Sequence, residues 1–170
     1  MIAPAPEVGF GVLLADLIRF ALPPTAAVRA GRECLRRRVA WVAWLARTGR
    51  GWSGISAGDC VLVAGEAEIE LDDAISVALD AGASAIVTDL EPSRDVIARC
   101  REAQLPLIVV PAGTSLRSIE RAMVALIVNR QAELDQRGAR IYGQLAELVA
   151  ADKGIGAIVV GLHELTGRIA

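Results

Sequence analysis

Ala57-Gly58-Asp59-Cys60-Val61-Leu62-Val63-Ala64-Gly65, then Ala74-Ile75-Ser76-Val77-Ala78-Leu79-Asp80-Ala81-Gly82-Ala83-Ser84-Ala85-Ile86-Val87, then Gln104-Leu105-Pro106-Leu107-Ile108-Val109-Val110-Pro111-Ala112-Gly113 form the stretch on which the fold turns. Its apolar runs are short, rich in Val and Ile, and bounded by Gly, Pro or Asp, while the residues between them repeat at helical spacing. The stretch therefore reads as strand, helix, strand, helix, strand. Runs that are apolar throughout, without alternation, suit strands covered on both faces. Strands that alternate with helices need crossover connections, which gives an α/β fold with a mainly parallel central sheet flanked by helices. Nothing in the stretch has the look of a catalytic centre.

The connecting helices read clearly. Leu71, Ile75, Ala78 and Leu79 share one face of a helix that opens among Glu70, Asp72 and Asp73, whose charge suits the positive end of the helix. Gly82 closes it. Ser93 caps the next helix, and Val96, Ile97, Cys100 and Ala103 form its buried stripe. Upstream, Leu13, Leu14, Leu17 and Ile18 mark an amphipathic helix over residues 11–22, stopped by Pro23-Pro24. Residues 26–30 read as a short strand and Arg36-Arg37-Arg38 as a solvated stretch. Val39, Trp41, Val42, Trp44 and Leu45 read as a strand or as a helix. Gly49, Gly51, Ser53, Gly54 and Gly58 supply a flexible connection, and Gly58-Asp59 turns into the strand beginning at Cys60.

Downstream of Gly113 the pattern lengthens. Thr114 or Ser115 caps a long C-terminal helix carrying Leu116, Ile119, Met123, Leu126 and Ile127, with no strong stop before Gly138. Ile127, Leu134, Ile141 and Leu148 recur every seven residues, a partial heptad stripe that marks a candidate homodimer interface, although the second seam position holds Arg130, Arg137 and Gln144. Ala151-Asp152-Lys153-Gly154 breaks the run, a further helical piece follows to residue 165, and the last four residues resemble the start of a strand. The organisation expected is an α/β domain over residues 8–113, a connecting and dimerisation helix over 114–150, and the start of a next domain over 151–170.

Composition narrows the function. In 170 residues, 54% hydrophobic, no apolar run approaches the roughly 18 residues that cross a bilayer. The first residues lack the basic and apolar segments of a secretory signal, so a cytoplasmic location and no membrane partner are expected. Three widely spaced cysteines fit reduced, packed thiols better than a disulfide framework. A net charge of -2 offers no field for nucleic acid. With one histidine and no Cys-x-x-Cys pair, no metal site and no cofactor are expected. Gly154-Ile155-Gly156 lacks the spacing and preceding strand of a dinucleotide fingerprint, and His163-Glu164 lacks the second histidine of a zinc-protease helix. The carboxylates Glu66, Glu68, Glu70, Asp72 and Asp73 are explained by a solvated loop leading into an acidic helix start.

One place qualifies as a site. Open parallel sheets bind ligands beyond the carboxyl ends of their strands, here at Gly65-Glu66, Thr88-Asp89 and Gly113-Thr114-Ser115. The last of these opens a helix whose free N–H groups suit an anion, with Arg117 nearby. Glu66, Thr88, Asp89, Thr114, Ser115 and Arg117 are thus the candidate ligand-binding residues for a small-molecule effector. Ordinary helix capping is the competing role for Thr114 and Ser115.

Several stretches occur in a particular order: Arg38-Val39-Ala40-Trp41-Val42, Ile55-Ser56-Ala57-Gly58-Asp59-Cys60-Val61-Leu62-Val63-Ala64-Gly65, Ala81-Gly82-Ala83-Ser84-Ala85-Ile86-Val87, Leu105-Pro106-Leu107-Ile108-Val109-Val110-Pro111 and Ser118-Ile119-Glu120-Arg121-Ala122-Met123. In this order, residues 11–130 resemble the N-terminal domain of the purine catabolism regulator (PucR) family of bacterial transcription factors. The rhythm is also similar to the small N-terminal domains of Mur ligases and HPr kinase. The first resemblance implies a non-catalytic effector-sensing or interaction domain, with DNA bound only by a helix-turn-helix domain outside this chain. The second implies an accessory substrate-binding domain, and a ligand-free dimerisation module is the remaining alternative. The chain departs from the first family at Ala43-Trp44-Leu45-Ala46-Arg47, where a histidine, serine and glutamate are common, and at Val63-Ala64, where threonines are usual.

Overall fold

The computed structural model describes residues 11–48, 51–65 and 69–150. Its elements follow in chain order as β1 (Val12–Leu13), α1 (Leu14–Ala21), β2 (Ala27–Ala30), a 3-10 turn (Arg32–Cys34), β3 (Arg38–Val39), β4 (Val42–Trp44), β5 (Ala46–Thr48) and β6 (Gly51–Ser53). Then come β7 (Cys60–Val63), α2 (Leu71–Asp80), β8 (Ala85–Thr88), α3 (Arg94–Glu102), β9 (Leu107–Val109) and α4 (Leu116–Ala150).

The central sheet has the order β2-β9-β8-β7-β4. β4, β7, β8 and β9 pair in parallel, and β2 joins β9 antiparallel as an edge strand. The mainly parallel sheet flanked by helices is therefore present, and it has a physical origin in the sequence. Successive side chains along a strand point to opposite faces. Cys60, Leu62, Ala85, Val87, Ile108 and Val110 pack on one face with Leu14 and Leu17 of α1 and with Leu116, Ile119, Met123 and Ile127 of α4. Val61, Val63, Ile86 and Leu107 pack on the other with Ala74, Ile75 and Ala78 of α2 and Val96 and Cys100 of α3. Both faces are dry, which is why these strands are apolar at nearly every position, Thr88 at the end of β8 being the polar one.

Local chemistry fixes the boundaries. Gly82 leaves α2 at φ +72 and donates its N–H to the Leu79 carbonyl, and Ser93 accepts from the Val96 N–H at 3.2 Å to cap α3. Gly58 turns at φ +88 into β7, where the Asp59 carboxylate accepts from the Ser56 N–H at 2.8 Å. On the far side of the sheet's parallel strands, Arg99 of α3 reaches α2, donating to Asp72 Oδ1 and to Ser76 Oγ, each at 2.9 Å.

Three readings are corrected. The first helix starts at Leu14, because Val12 and Leu13 instead pair antiparallel with β3 in a small sheet. The N–H groups of Leu14 and Ala15 then find the carbonyls of Arg37 and Leu35, so the helix start needs no side-chain cap. Residues 39–45 are neither one strand nor a helix, since β3 and β4 are separated at Ala40 and Trp41 and join different sheets. The glycine-rich connection contains a two-stranded antiparallel hairpin, β5 with β6, in the register Ala46↔Ser53, Arg47↔Trp52 and Thr48↔Gly51.

α4 is a single helix of 35 residues that passes through Gly138 and Gly143. The chain divides into two compact units, Met1–Val128 and Asn129–Ala170, and the division falls within this helix. In the first unit, α4 is a core element. In the second, Leu134 is 38% exposed and Tyr142 76% exposed. The break and further helix read over residues 151–165 lie outside the described residues. Among those described, no helix is long and apolar enough to cross a membrane.

Candidate functional site

The register Val63↔Thr88 and Thr88↔Val109 brings the carboxyl ends of β7, β8 and β9 together at one edge of the sheet. Most of the polar groups singled out there hold that edge together. Thr88 is fully buried, its Oγ1 accepting from the Leu90 N–H at 3.1 Å and its carbonyl accepting from the Val110 N–H at 2.9 Å. Asp89 Oδ1 accepts from the Gly65 N–H at 2.8 Å, which ties the loop after β8 to the loop after β7. Thr114 donates its hydroxyl to the Pro111 carbonyl at 2.6 Å, and Ser115 Oγ takes the Ser118 N–H at 3.3 Å as the cap of α4. Glu66 lies outside the described residues.

Arg117 differs from these. It is exposed and carries no ion pair among the described residues, and its guanidinium lies 5.5 Å above the Trp44 ring, where β4 ends beneath the first turn of α4. Trp44 Nε1 beside it is buried without a hydrogen-bond partner among the described residues. A buried donor left alone costs about 1–3 kcal/mol, so this seam is locally less satisfied than the rest of the edge. Trp44 and Arg117 are distant in the chain, and the sequence offered no sign that they meet.

Of the interface stripe, Ile127 is 6% exposed and packs in the core beside Met123, so it is not presented to a partner. Leu134 is exposed, Ile141 is half-buried, and the side chain of Leu148 lies outside those described. The stripe is thus divided: Ile127 packs inward on the body, whereas Leu134 lies on the surface.

A concavity away from that edge was not legible in the sequence. A groove of about 530 Å³ lies where β2, the 3-10 turn and α3 meet, with Arg29, Arg32 and Arg101 at its walls, Glu33 as its one carboxylate, and Val28, Ala30 and Ile97 as its apolar surface. Arg29 Nη2 contacts Glu91 at 2.9 and 3.2 Å. Gly31 sets the wall: it turns at φ +69, and a Cβ there would stand 2.7 Å from the N and Cα of Pro106. The signal in the sequence was only Arg29 and Arg32 in and after a short strand, with Arg101 distant in the chain. Without the sheet order, nothing brings them together.

Burial, together with the charge of Asp59, pushes the Cys60 thiol up to about 12. Burial also pushes Cys100 up to about 11, with Arg99 opposing and Asp72 adding to the rise. Thiols so raised are not thiolates near neutral pH. Among the described residues, no group of three or more His, Cys, Asp or Glu side chains is placed to hold a metal.

No protein-family model and no curated protein matches this sequence. Among solved structures, the chain is similar to the CBS and DRTGG domains of the regulatory region of Clostridium perfringens pyrophosphatase, crystallised with the activator diadenosine tetraphosphate. The TM-score is 0.46 with 17% identity, over 70% of this chain and 54% of that one, so the chain spans about half the length of that structure.

Proposed function

We propose that this chain is a non-catalytic effector-sensing domain of a bacterial transcription regulator related to the purine catabolism regulator family. In this reading it works in the cytoplasm as a homodimer, and DNA is bound by a helix-turn-helix outside these 170 residues. The ordered stretches that carry the family resemblance fall on β3 and β4, on β7 with its preceding turn, on the approach to β8, on β9 and on the first turns of α4.

One observation carries the mechanism. Leu116, Ile119, Met123 and Ile127 of α4 belong to the same buried cluster as Leu62, Val87, Ile108 and Val110 of the sheet, and the helix then continues unbroken to Ala150. An interior packed at crystal-like density shifts between discrete arrangements and does not yield by degrees. A ligand that favours one arrangement of the body therefore favours one setting of α4, provided that it binds the two arrangements unequally. The Trp44–Arg117 seam, where β4 meets the start of α4, is the place at which such a change enters the helix. The loops at the carboxyl edge, pinned by Asp89 and Thr88, serve as the fixed frame.

The test is a thermal-shift and calorimetric screen of the chain against nucleobases, mononucleotides, dicarboxylates and amino acids. The reading expects at least one class to bind and raise the unfolding midpoint. A chain that binds none of them and also releases no product from any of them would leave dimerisation alone as its role and refute sensing.

A further inference from the structure

We propose that the groove bounded by β2, the 3-10 turn and α3 is a binding site for a small organic anion. Its acidic group, a phosphate or a carboxylate, is held by Arg32 and Arg101, and its body lies on Val28, Ala30 and Ile97. This goes beyond the relay through α4, because occupation of the groove requires no change in that helix.

Three features support the assignment. First, the volume of about 530 Å³ falls within the roughly 300–1,000 Å³ of small-molecule pockets. Second, the charge is one-sided: three guanidiniums face one carboxylate, Glu33, in the lining. Arg29 is engaged by Glu91 at 2.9 Å, whereas Arg32 and Arg101 carry no ion pair among the described residues. Guanidiniums from two different elements converge on one concavity, and a concave surface of one sign concentrates its field on an ion inside it. The planar fork of each can grip a phosphate or carboxylate through two bonds. Third, the groove is preformed. Gly31 allows the chain after β2 to cross Pro106 at a distance no side chain tolerates, so the wall carrying Arg32 and Glu33 is seated against the β9 approach. Apolar surface beside fixed charges favours an amphipathic molecule over a bare ion.

The groove lies away from the carboxyl ends of the parallel strands, where open sheets usually bind ligands. β2 runs antiparallel to the rest, so the residues following it lie at the opposite end of the sheet.

The proposal is tested by titration calorimetry of the full chain at about 50 mM salt, where surface charges are weakly screened, with adenosine monophosphate and succinate as probes and inorganic phosphate as the bare-ion reference. One of the two organic probes is expected to bind more tightly than inorganic phosphate. Nucleotide binding alone assigns a phosphate head, and succinate binding alone a carboxylate head. Arg32→Gln and Arg101→Gln should each weaken binding about tenfold, the loss of a charge-assisted bidentate contact. Glu33→Gln should tighten it, an effect that a purely structural role would not produce. All three positions are exposed, and an unchanged urea midpoint verifies the fold of each variant. Absence of heat with both organic probes, or binding that both arginine variants leave intact, overturns the site. The relay is read separately, from exchange in α4, so either idea can fail without the other.

Discussion

Gly31 shows how much of this molecule depends on single backbone positions. Its φ of +69 and the 2.7 Å approach of Pro106 leave no room for a Cβ, so Gly31→Ala combines a left-handed backbone with a steric clash. Urea unfolding should register a loss of about 2–4 kcal/mol, and a loss below about 0.5 kcal/mol would mean that the turn can open at little cost. The cysteines give a second residue-scale expectation. Cys60 and Cys100 are fully buried, whereas Cys34 is half-buried. Under native conditions iodoacetamide should therefore modify Cys34 first, and peptide mapping should find the other two labelled only on the timescale of unfolding. Their titration also has a sign. Thiols held at about 12 and about 11 keep their protons in the folded chain at a pH where unfolded thiols, near 9.0, have lost them. The unfolded state then binds fewer protons, so this contribution to stability is complete below pH 9 and declines as pH rises from there towards 12. Unfolding midpoints measured from pH 8 to 11 should fall over this interval.

At the level of elements, the first turns of α4 matter more than its length suggests. Met123 is fully buried and Leu134 is 38% exposed, although both are apolar positions on one helix. Met123→Ala should cost about 2–5 kcal/mol and Leu134→Ala less than about 0.5 kcal/mol in urea unfolding. Equal costs would show that the helix is not docked as described. This contrast also marks how far the sequence could be read. β7, α2, β8, α3 and β9 were legible because burial on both faces leaves runs such as Val61-Leu62-Val63 with a single interpretation, and because Gly82 and Ser93 act locally. β1, β3 and the β5–β6 hairpin were not legible. Two- and three-residue strands are too short for periodicity, and β1 and β3 are defined by each other, distant in sequence. The strand ends that frame the carboxyl edge could be placed from the sequence, but the hydrogen-bond partners of the polar residues there could not. Thr88, Asp89 and Thr114 turn to neighbouring backbone groups, and no spacing rule distinguishes that use from ligand binding.

For the whole molecule, a three-layer α/β body holds the first turns of α4 in its core, and the proposed relay rests on that packing. The proposed dimer rests on the later apolar residues of α4, since Ile127 is buried. Sedimentation should find a homodimer that Leu134→Glu weakens, and a monomeric parent chain would remove dimerisation from the account. The central claim is the coupling of body to helix, and hydrogen exchange over residues 115–150 measures it most directly. With the tightest-binding member of the effector panel at saturation, peptides spanning α4 should change their protection relative to the free chain, beginning with those that contain Met123 and Ile127. Protection in α4 that stays the same while the ligand is demonstrably bound would contradict the relay.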